Sequence, residues 1–233
     1  MKKNKIVDSA ILGEGAFYER PFPRKFSNKK NLEISAIFTC WLSGFDDDYS
    51  TRVLTALHND FFQEKPYNYI MSRDWEQYQD NFNTLYRLIT YNDFYNLCSR
   101  LYSIYISAGD FENALMKKIG KQKSKFIYQA INDLLGGGTM FDVNHTSMSY
   151  RTNLLLLYLA RVSSPFYIWH NIKQSKLLVP CNDNLIRVCL DCQIITYSGY
   201  NIETIQEITK YAKTIFYDDP TRLFFALNYK DRL

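Results

Sequence analysis

The stretch Val179-Pro180-Cys181-Asn182-Asp183-Asn184-Leu185-Ile186-Arg187-Val188 carries the strongest signal for the fold. A proline-led extended fragment runs into a segment with helical spacing, and Asn182 lies at the junction. Asparagine is a favoured N-cap residue, because its side-chain oxygen accepts the amide hydrogen of the second or third helical residue. The stretch therefore predicts an extended fragment that turns into a helix, with Asn182 as the cap.

Helical periodicity recurs along the rest of the chain, whereas strand signals are few, so the sequence predicts an all-α protein. Thr90 and Asp93 have the spacing of a capping box at the start of one helix. We expect residues 1–31 to form an extended lead-in, because they are basic and contain two prolines, and we expect an irregular stretch at about 66–83. The predicted helices lie at about 32–43, 49–63, 90–107, 111–119, 125–135, 149–162, 184–192, 202–216 and 219–228.

The composition limits the class of protein. The 233 residues are 46% apolar, which is enough for one large domain or two small lobes. The formal net charge of +4 permits contact with nucleic acid without arguing for it. No apolar run of about 18 residues occurs, so we expect no membrane span. Five cysteines without a secretion signal predict reduced thiols in a cytoplasmic protein.

Three blocks of the sequence, in their order and spacing, resemble an uncharacterised bacterial family related to helix-hairpin-helix DNA glycosylases of the endonuclease III type. In the helix-hairpin-helix glycosylases, the turn that corresponds to residues 179–184 has the sequence Val/Ile-Pro-x-Asp-Thr-His and is followed by a helix with Arg-Val. The resemblance covers roughly residues 17–228. The blocks are 26–36 (FSNKKNLEISA), 147–161 (SMSYRTNLLLLYLAR) and 168–173 (IWHNIK) together with the turn at 178–188.

This resemblance implies a two-lobed, all-α, helix-hairpin-helix DNA glycosylase-like fold. A helical middle lobe would occupy residues 32–165, and a second lobe would be built from both chain ends, 1–31 and 166–233. In such folds DNA lies across the cleft and a base is flipped into it. DNA is therefore the partner that the resemblance implies. We predict no cofactor, because the four-cysteine cluster loop of endonuclease III is absent from this sequence.

The resemblance places the catalytic positions on residues that have lost the standard chemistry. The family aspartate, which stabilises the cationic sugar, falls at Asn182, and the lysine that forms a Schiff base in lyase-type members falls at Tyr150. Asn182 supplies no negative charge, and a phenol with a pKa near 10 is a poor nucleophile at pH 7. Asp183 lies one residue further, about 100° round the helix. We interpret it as a first-turn acidic residue acting on the helix dipole, and a one-residue shift that makes it catalytic is the alternative.

The predicted DNA contacts surround a degraded hairpin. The nearest glycine cluster, residues 136–138, lies 12 residues before Tyr150, too far for the usual short hairpin loop. A basic segment precedes the hairpin region, and a solvated helix face explains it equally well. The two serines at the start of the following helix either cap it or touch a phosphate. The predicted contacts are Lys117, Lys118, Lys121, Lys123, Lys125, Ser147, Ser149 and Arg151.

Two further clusters have a simple structural interpretation. The acidic loop Asp46-Asp47-Asp48 would repel phosphates unless it is paired with a cation. We interpret it as a solvated cluster before the next helix, since a metal site would need a further ligand. Cys189 and Cys192 form a Cys-x-x-Cys with Cys181 nearby, and core packing explains them better than a metal site. We therefore predict no metal.

Three hypotheses about function stay open at this stage. The first is a DNA-binding protein that has lost standard base excision. The second is an active DNA glycosylase with a rearranged site that uses Asp183. The third, favoured by the acidic loop at 46–48, is a protein-interaction module on the same fold.

Overall fold

A computed structural model of the protein describes residues 3–43, 47–122, 126–136, 149–197, 199 and 201–229. Within these ranges the chain forms eleven α-helices and one antiparallel pair of short strands, so the all-α prediction is confirmed. No helix in the described ranges is both long and apolar enough to cross a lipid bilayer. The predicted hairpin falls on residues 137–148, outside the described part of the chain.

Every predicted helix has a counterpart in the structure. The α-helices are α1 (Lys3–Tyr18), α2 (Lys29–Trp41), α3 (Asp47–Ala56), α4 (Pro66–Ser72), α5 (Tyr91–Ala108), α6 (Phe111–Gln122), α7 (Ile127–Leu135), α8 (Tyr150–Leu159), α9 (Asp183–Asp191), α10 (Ile202–Ile215) and α11 (Arg222–Tyr229). The other elements are a π-helical turn (Leu57–Phe61), two 3-10 helices (Asp74–Tyr78 and Gln174–Lys176) and the strands β1 (Thr84–Tyr86) and β2 (Ile89–Thr90).

The chain divides into two compact units. Residues Pro21–Asp142 form one, here called the middle unit. Residues Met1–Arg20 and Val143–Leu233 form the other, here called the terminal unit. The resemblance instead predicts lobe boundaries after residues 31 and 165, whereas the boundaries between the two units fall after residues 20 and 142. The segment before residue 165 belongs to the terminal unit because α8 packs there, with the ring of Tyr158 stacked on that of Phe17 at 5.3 Å.

The middle unit is built around α2. Its ten residues from Leu32 to Trp41 are all buried, which is the pattern of a helix surrounded by protein. Asn28 caps the helix by accepting the N–H groups of Lys30 and Asn31. The buried carboxylate of Glu33 accepts hydrogen bonds from the Tyr105 hydroxyl at 3.0 Å and the Phe111 N–H at 3.3 Å.

The predicted capping box at the start of α5 is confirmed. Oγ1 of Thr90 accepts the Asp93 N–H at 3.2 Å, and the Asp93 carboxylate accepts the Thr90 N–H at 2.7 Å. The two side chains thus satisfy two of the N–H groups that a helix start leaves without a partner.

The prediction of an extended lead-in over residues 1–31 is wrong for its first half, which forms α1. The helix forms because Ile6, Ala10, Gly13 and Phe17 recur at helical spacing, and the first three are buried. The helix packs along α11, where the Phe17 ring meets the rings of Phe224 and Phe225. The stripe contains small residues, and its packing partner lies more than 200 residues away, so the local pattern was weak.

The prediction of an irregular stretch at 66–83 is also wrong in part. Residues Pro66–Ser72 form α4, and Asp74–Tyr78 form a 3-10 helix. Trp75 anchors this region, because its ring is buried and its Nε1 donates to the carbonyl oxygen of Ile70 at 2.9 Å. The Trp75 ring also packs against the rings of Tyr95 and Tyr102 on α5, at 5.5 and 6.1 Å, so tertiary contacts order this segment.

Gly136 follows the last residue of α7, and the lack of room for a side chain explains why glycine is found there. Its φ of −64° is open to any residue. A Cβ at this position, however, would lie 2.5 Å from the carbonyl oxygen of Asn132, which accepts the Gly136 N–H. Glycine is therefore required here, because a side chain would collide with the Asn132 carbonyl four residues earlier in the same turn.

We expect Gly136→Ala to destabilise the middle unit by about 1–2 kcal/mol, because the Asn132 carbonyl must move away from the new methyl group. Gly120→Ala on α6 is the matched control, since a Cβ there meets nothing within 4 Å. It should stabilise the same unit by up to about 1 kcal/mol. Urea unfolding followed by circular dichroism measures both. Equal stability of the two variants would contradict the role given to Gly136.

Candidate functional site

The turn that precedes α9 is held by hydrogen bonds at both ends. Val179 and Cys181 are fully buried, and the Val179 N–H donates to Oγ1 of Thr209 on α10 at 3.1 Å. Oδ1 of Asn182 accepts the N–H of Leu185 at 2.9 Å. The prediction that Asn182 caps the helix is therefore confirmed, and its carboxamide oxygen is used in the cap.

The other predicted catalytic positions also lie at helix starts. Asp183 is the first residue of α9 and is exposed, where a negative charge interacts favourably with the helix dipole. Tyr150 is the first residue of α8 and is half-buried, as is Arg151 after it. Ser149 precedes the helix with a φ of 53°, and its side chain does not cap α8. The roles of these residues in DNA chemistry remain predictions.

The predicted basic surface is only partly within the described residues. Lys117 and Lys121 are exposed one turn apart on α6. Lys118 is half-buried, and its Nζ lies 3.4 Å from Oδ2 of Asp133 on α7. Its charge is therefore partly neutralised by an ion pair within the protein. The predicted contacts outside the described residues are Lys123, Lys125 and Ser147.

The cysteines and the acidic loop agree with their structural interpretation where they are described. Cys181 and Cys189 are fully buried and Cys192 is half-exposed. Burial raises the pKa of the Cys181 thiol and raises that of Cys189 to about 12, which disfavours the thiolate that binds metals. Asp48 is exposed in the first turn of α3, and Asp46 lies outside the described residues. Within the described part of the chain, no three His, Cys, Asp or Glu side chains form a metal-binding group.

A buried ion-pair cluster in the terminal unit was not predicted. The guanidinium of Arg161, which is 1% exposed, lies just after α8. Its Nη1 and Nη2 donate to the two carboxylate oxygens of Glu14 on α1 at 2.5 and 2.9 Å. Its Nε donates to Oδ2 of Asp219 at 2.7 Å, and its Cζ lies 4.8 Å from the Phe225 ring centre.

The charges in this cluster are strongly coupled to one another. Burial alone would lower the pKa of Arg161, but the hydrogen bonds to Glu14 and the charge of Asp219 outweigh it and raise the pKa above its usual value. The second oxygen of Asp219 accepts hydrogen bonds from the N–H and the hydroxyl of Thr221, just before α11. The predicted helices place Arg161 near the end of one helix and Asp219 at the start of another. Arg161 is 58 residues from Asp219 and 147 residues from Glu14 along the chain, so no local pattern connects the three residues.

An open pocket of about 540 Å³ adjoins this cluster within the terminal unit. Its polar lining contains both acidic and basic side chains, and its apolar lining comes from the end of α10 and the residues that follow it. The half-buried guanidinium of Arg222 lies 4.9 Å from the centre of the Phe216 ring. The polar lining residues are Glu14, Arg161, Ser163, Gln174, Asp218, Asp219 and Arg222.

In the middle unit, His58 lies in the core. It is fully buried among the rings of Phe22, Phe26 and Phe62, and its Nε2 lies 3.1 Å from Oγ of Ser35. No described residue hydrogen-bonds to Nδ1. Burial, with a smaller contribution from the charge of Arg24, lowers the pKa of His58 from 6.5 to about 4.

Comparison with known sequences identifies the family. A sequence model described as "Protein of unknown function (DUF2400)" matches residues 21–231, so the chain belongs to this family. The matched segment excludes α1 and therefore excludes Glu14. No curated protein matches the chain. No solved structure matches it either.

We expect Arg161→Met to destabilise the protein by about 3–5 kcal/mol, because the carboxylates of Glu14 and Asp219 lose their buried counter-charge. Adding Glu14→Gln to this variant should restore part of the loss, since one of the two uncompensated charges disappears. Arg187→Met on the exposed face of α9 is the control and should stay within about 0.5 kcal/mol of wild type. Denaturant unfolding measures all three, and a harmless Arg161→Met would show that the cluster contributes little.

We expect stability to fall as pH decreases from about 6.5 to about 4, by about 3 kcal/mol in total from His58. The unfolded chain takes up a proton on this residue near pH 6.5, whereas the folded protein takes it up only near pH 4. His58→Gln should lose this part of the pH dependence. His170→Gln, at an exposed position, should keep it. Unfolding curves at several pH values measure the difference, and equal slopes in the two variants would contradict the assignment.

Proposed function

We propose that this member of the family binds nucleic acid and does not carry out standard base excision. The observation that carries the proposal is that Asn182 serves as the cap of α9. The residue stands where the resemblance to helix-hairpin-helix glycosylases expects the catalytic aspartate, and its Oδ1 accepts the Leu185 N–H at 2.9 Å. The position therefore keeps the helix cap and lacks the carboxylate.

The chemistry of base excision explains why this substitution matters. Breaking an N-glycosidic bond develops positive charge on the sugar, and a carboxylate beside it lowers the energy of that state. A neutral carboxamide cannot do so. The lysine position is filled by Tyr150, whose phenol does not form a Schiff base. Both standard routes are therefore closed at these two positions, and of the activities that the resemblance to glycosylases implies, nucleic-acid binding is the one that remains.

The exposed lysines on α6 support binding to a polyanion. Lys117 and Lys121 lie four residues apart, so both ammonium groups project from one face of the helix. Lys118 contributes less, because Asp133 answers its charge. Contacts of this kind position a nucleic acid without reading its sequence.

A rearranged glycosylase that uses Asp183 is the second candidate, and the exposure of that carboxylate favours it. The residue is in the first turn of α9, directly after Asn182. The same position is also where an acidic residue stabilises a helix through its dipole, and this explains Asp183 without any reaction.

We expect the protein to bind duplex DNA with an affinity that falls as salt increases. Replacing Lys117 and Lys121 together by Gln should weaken binding and should lower the salt slope by up to about 2, because each phosphate contact releases about one counterion. Lys210→Gln with Lys213→Gln is the matched control, since it removes two exposed charges from α10. Fluorescence anisotropy at several salt concentrations measures both pairs.

The outcomes separate the candidates. Absence of salt-dependent binding to duplex, nicked and abasic DNA overturns the proposal. Release of a free base by the wild-type protein overturns the claim that excision is lost. In that case Asp183→Asn distinguishes the second candidate, because it abolishes release only if Asp183 is the catalytic carboxylate.

A further inference from the structure

We propose that the pocket beside Arg161 binds a small zwitterion that carries both a carboxylate and an ammonium group, of the class of free α-amino acids. The pocket lies wholly within the terminal unit and has a volume of about 540 Å³. This is in the range of about 300–1,000 Å³ that is usual for small-molecule sites. The proposal is independent of nucleic-acid binding.

Of the two guanidiniums at the pocket, Arg222 is the one available to a ligand. Arg161 is 1% exposed and uses its donors on Glu14 and Asp219. Arg222 is half-buried against the ring of Phe216, and no described carboxylate lies within ion-pair distance of it. Its planar fork of N–H donors matches the two oxygens of a carboxylate.

The remaining charges favour a zwitterion over a simple anion. Three carboxylates and two guanidiniums line the pocket, so its formal net charge is −1. Glu14 and Asp219 share the single charge of Arg161, and the exposed Asp218 has no ion-pair partner among the described residues. A phosphate dianion would be repelled by this excess. A ligand with an ammonium group beside its carboxylate would instead be attracted at both ends.

Neutral groups complete the recognition surface. Oε1 of Gln174 accepts the Val162 N–H at 3.0 Å, which fixes the carboxamide and leaves its NH₂ group as a donor. The exposed Ser163 offers a hydroxyl. Ile215 and Phe216 add apolar lining, which suits the side chain of an amino acid. A few polar groups on a partly apolar wall are the usual composition of a specific small-molecule pocket.

Isothermal titration calorimetry with L-leucine, L-phenylalanine, L-lysine and L-glutamate tests the proposal. We expect at least one of them to bind with a dissociation constant of about 1 mM or lower. Its N-acetyl derivative and its carboxamide, which each lack one charge, should bind at least about tenfold more weakly. A carboxamide that binds as well as the free amino acid would contradict the role of Arg222.

Variants then assign each charge to its partner. Arg222→Gln should weaken binding of the free amino acid at least about tenfold and should leave the weak binding of the carboxamide unchanged. Asp218→Asn should weaken the free amino acid and leave the N-acetyl derivative unchanged. Arg187→Gln and Asp191→Asn, both exposed on α9 outside the pocket, are the matched controls and should bind as wild type.

The proposal is overturned if none of the four amino acids saturates the protein up to about 10 mM. It is also overturned if Arg222→Gln and Asp218→Asn both bind as wild type. Circular dichroism of each variant checks that the fold is kept. Anisotropy with DNA is measured in parallel, so that a failure of nucleic-acid binding and a failure of this pocket are recorded separately.

Discussion

The guanidinium of Arg161 is the charge on which the terminal unit depends. A buried cation is costly unless carboxylates and hydrogen bonds replace the water it has lost, and here Glu14 and Asp219 do so. The three residues come from α1, from the segment just after α8 and from the residues before α11. The pairing therefore joins the N-terminal helix to the C-terminal part of the chain within the terminal unit. The ring of Phe225 lies 4.8 Å from Cζ of Arg161, and it packs in turn against the ring of Phe17, which also contacts Tyr158.

The N-terminal helix α1 has a structural role in the terminal unit. The family match begins at residue 21, yet α1 supplies the carboxylate that grips both terminal nitrogens of Arg161. It also buries Ile6 and Ala10. In this chain α1 is thus part of the terminal unit's core, and the same carboxylate lines the pocket beside it.

The turn before α9 separates architecture from chemistry. Asparagine and aspartate cap helices about equally well, because both offer a side-chain oxygen to the third N–H. Replacing one by the other therefore preserves the turn while it removes the negative charge. The position of Asn182 is consequently good evidence for a helix start and weak evidence for a reaction. The middle unit offers a second example of polar side chains that serve the fold. Ser35 and His58 contact each other in a buried core without a charged partner between them.

The sequence by itself determined the features that depend on neighbouring residues. The helices other than α1 and α4, the capping box at Thr90 and the cap at Asn182 follow from patterns within a few positions, where side-chain spacing and backbone hydrogen bonds act directly. Tertiary structure alone decided that residues 3–18 fold as a helix, that Trp75 orders the segment after α4, and that His58 lies in the core. It alone also brought Glu14, Arg161 and Asp219 together. Such contacts join residues that are as far apart in the chain as Phe17 and Phe225, and their energy depends on burial, which no local spacing records.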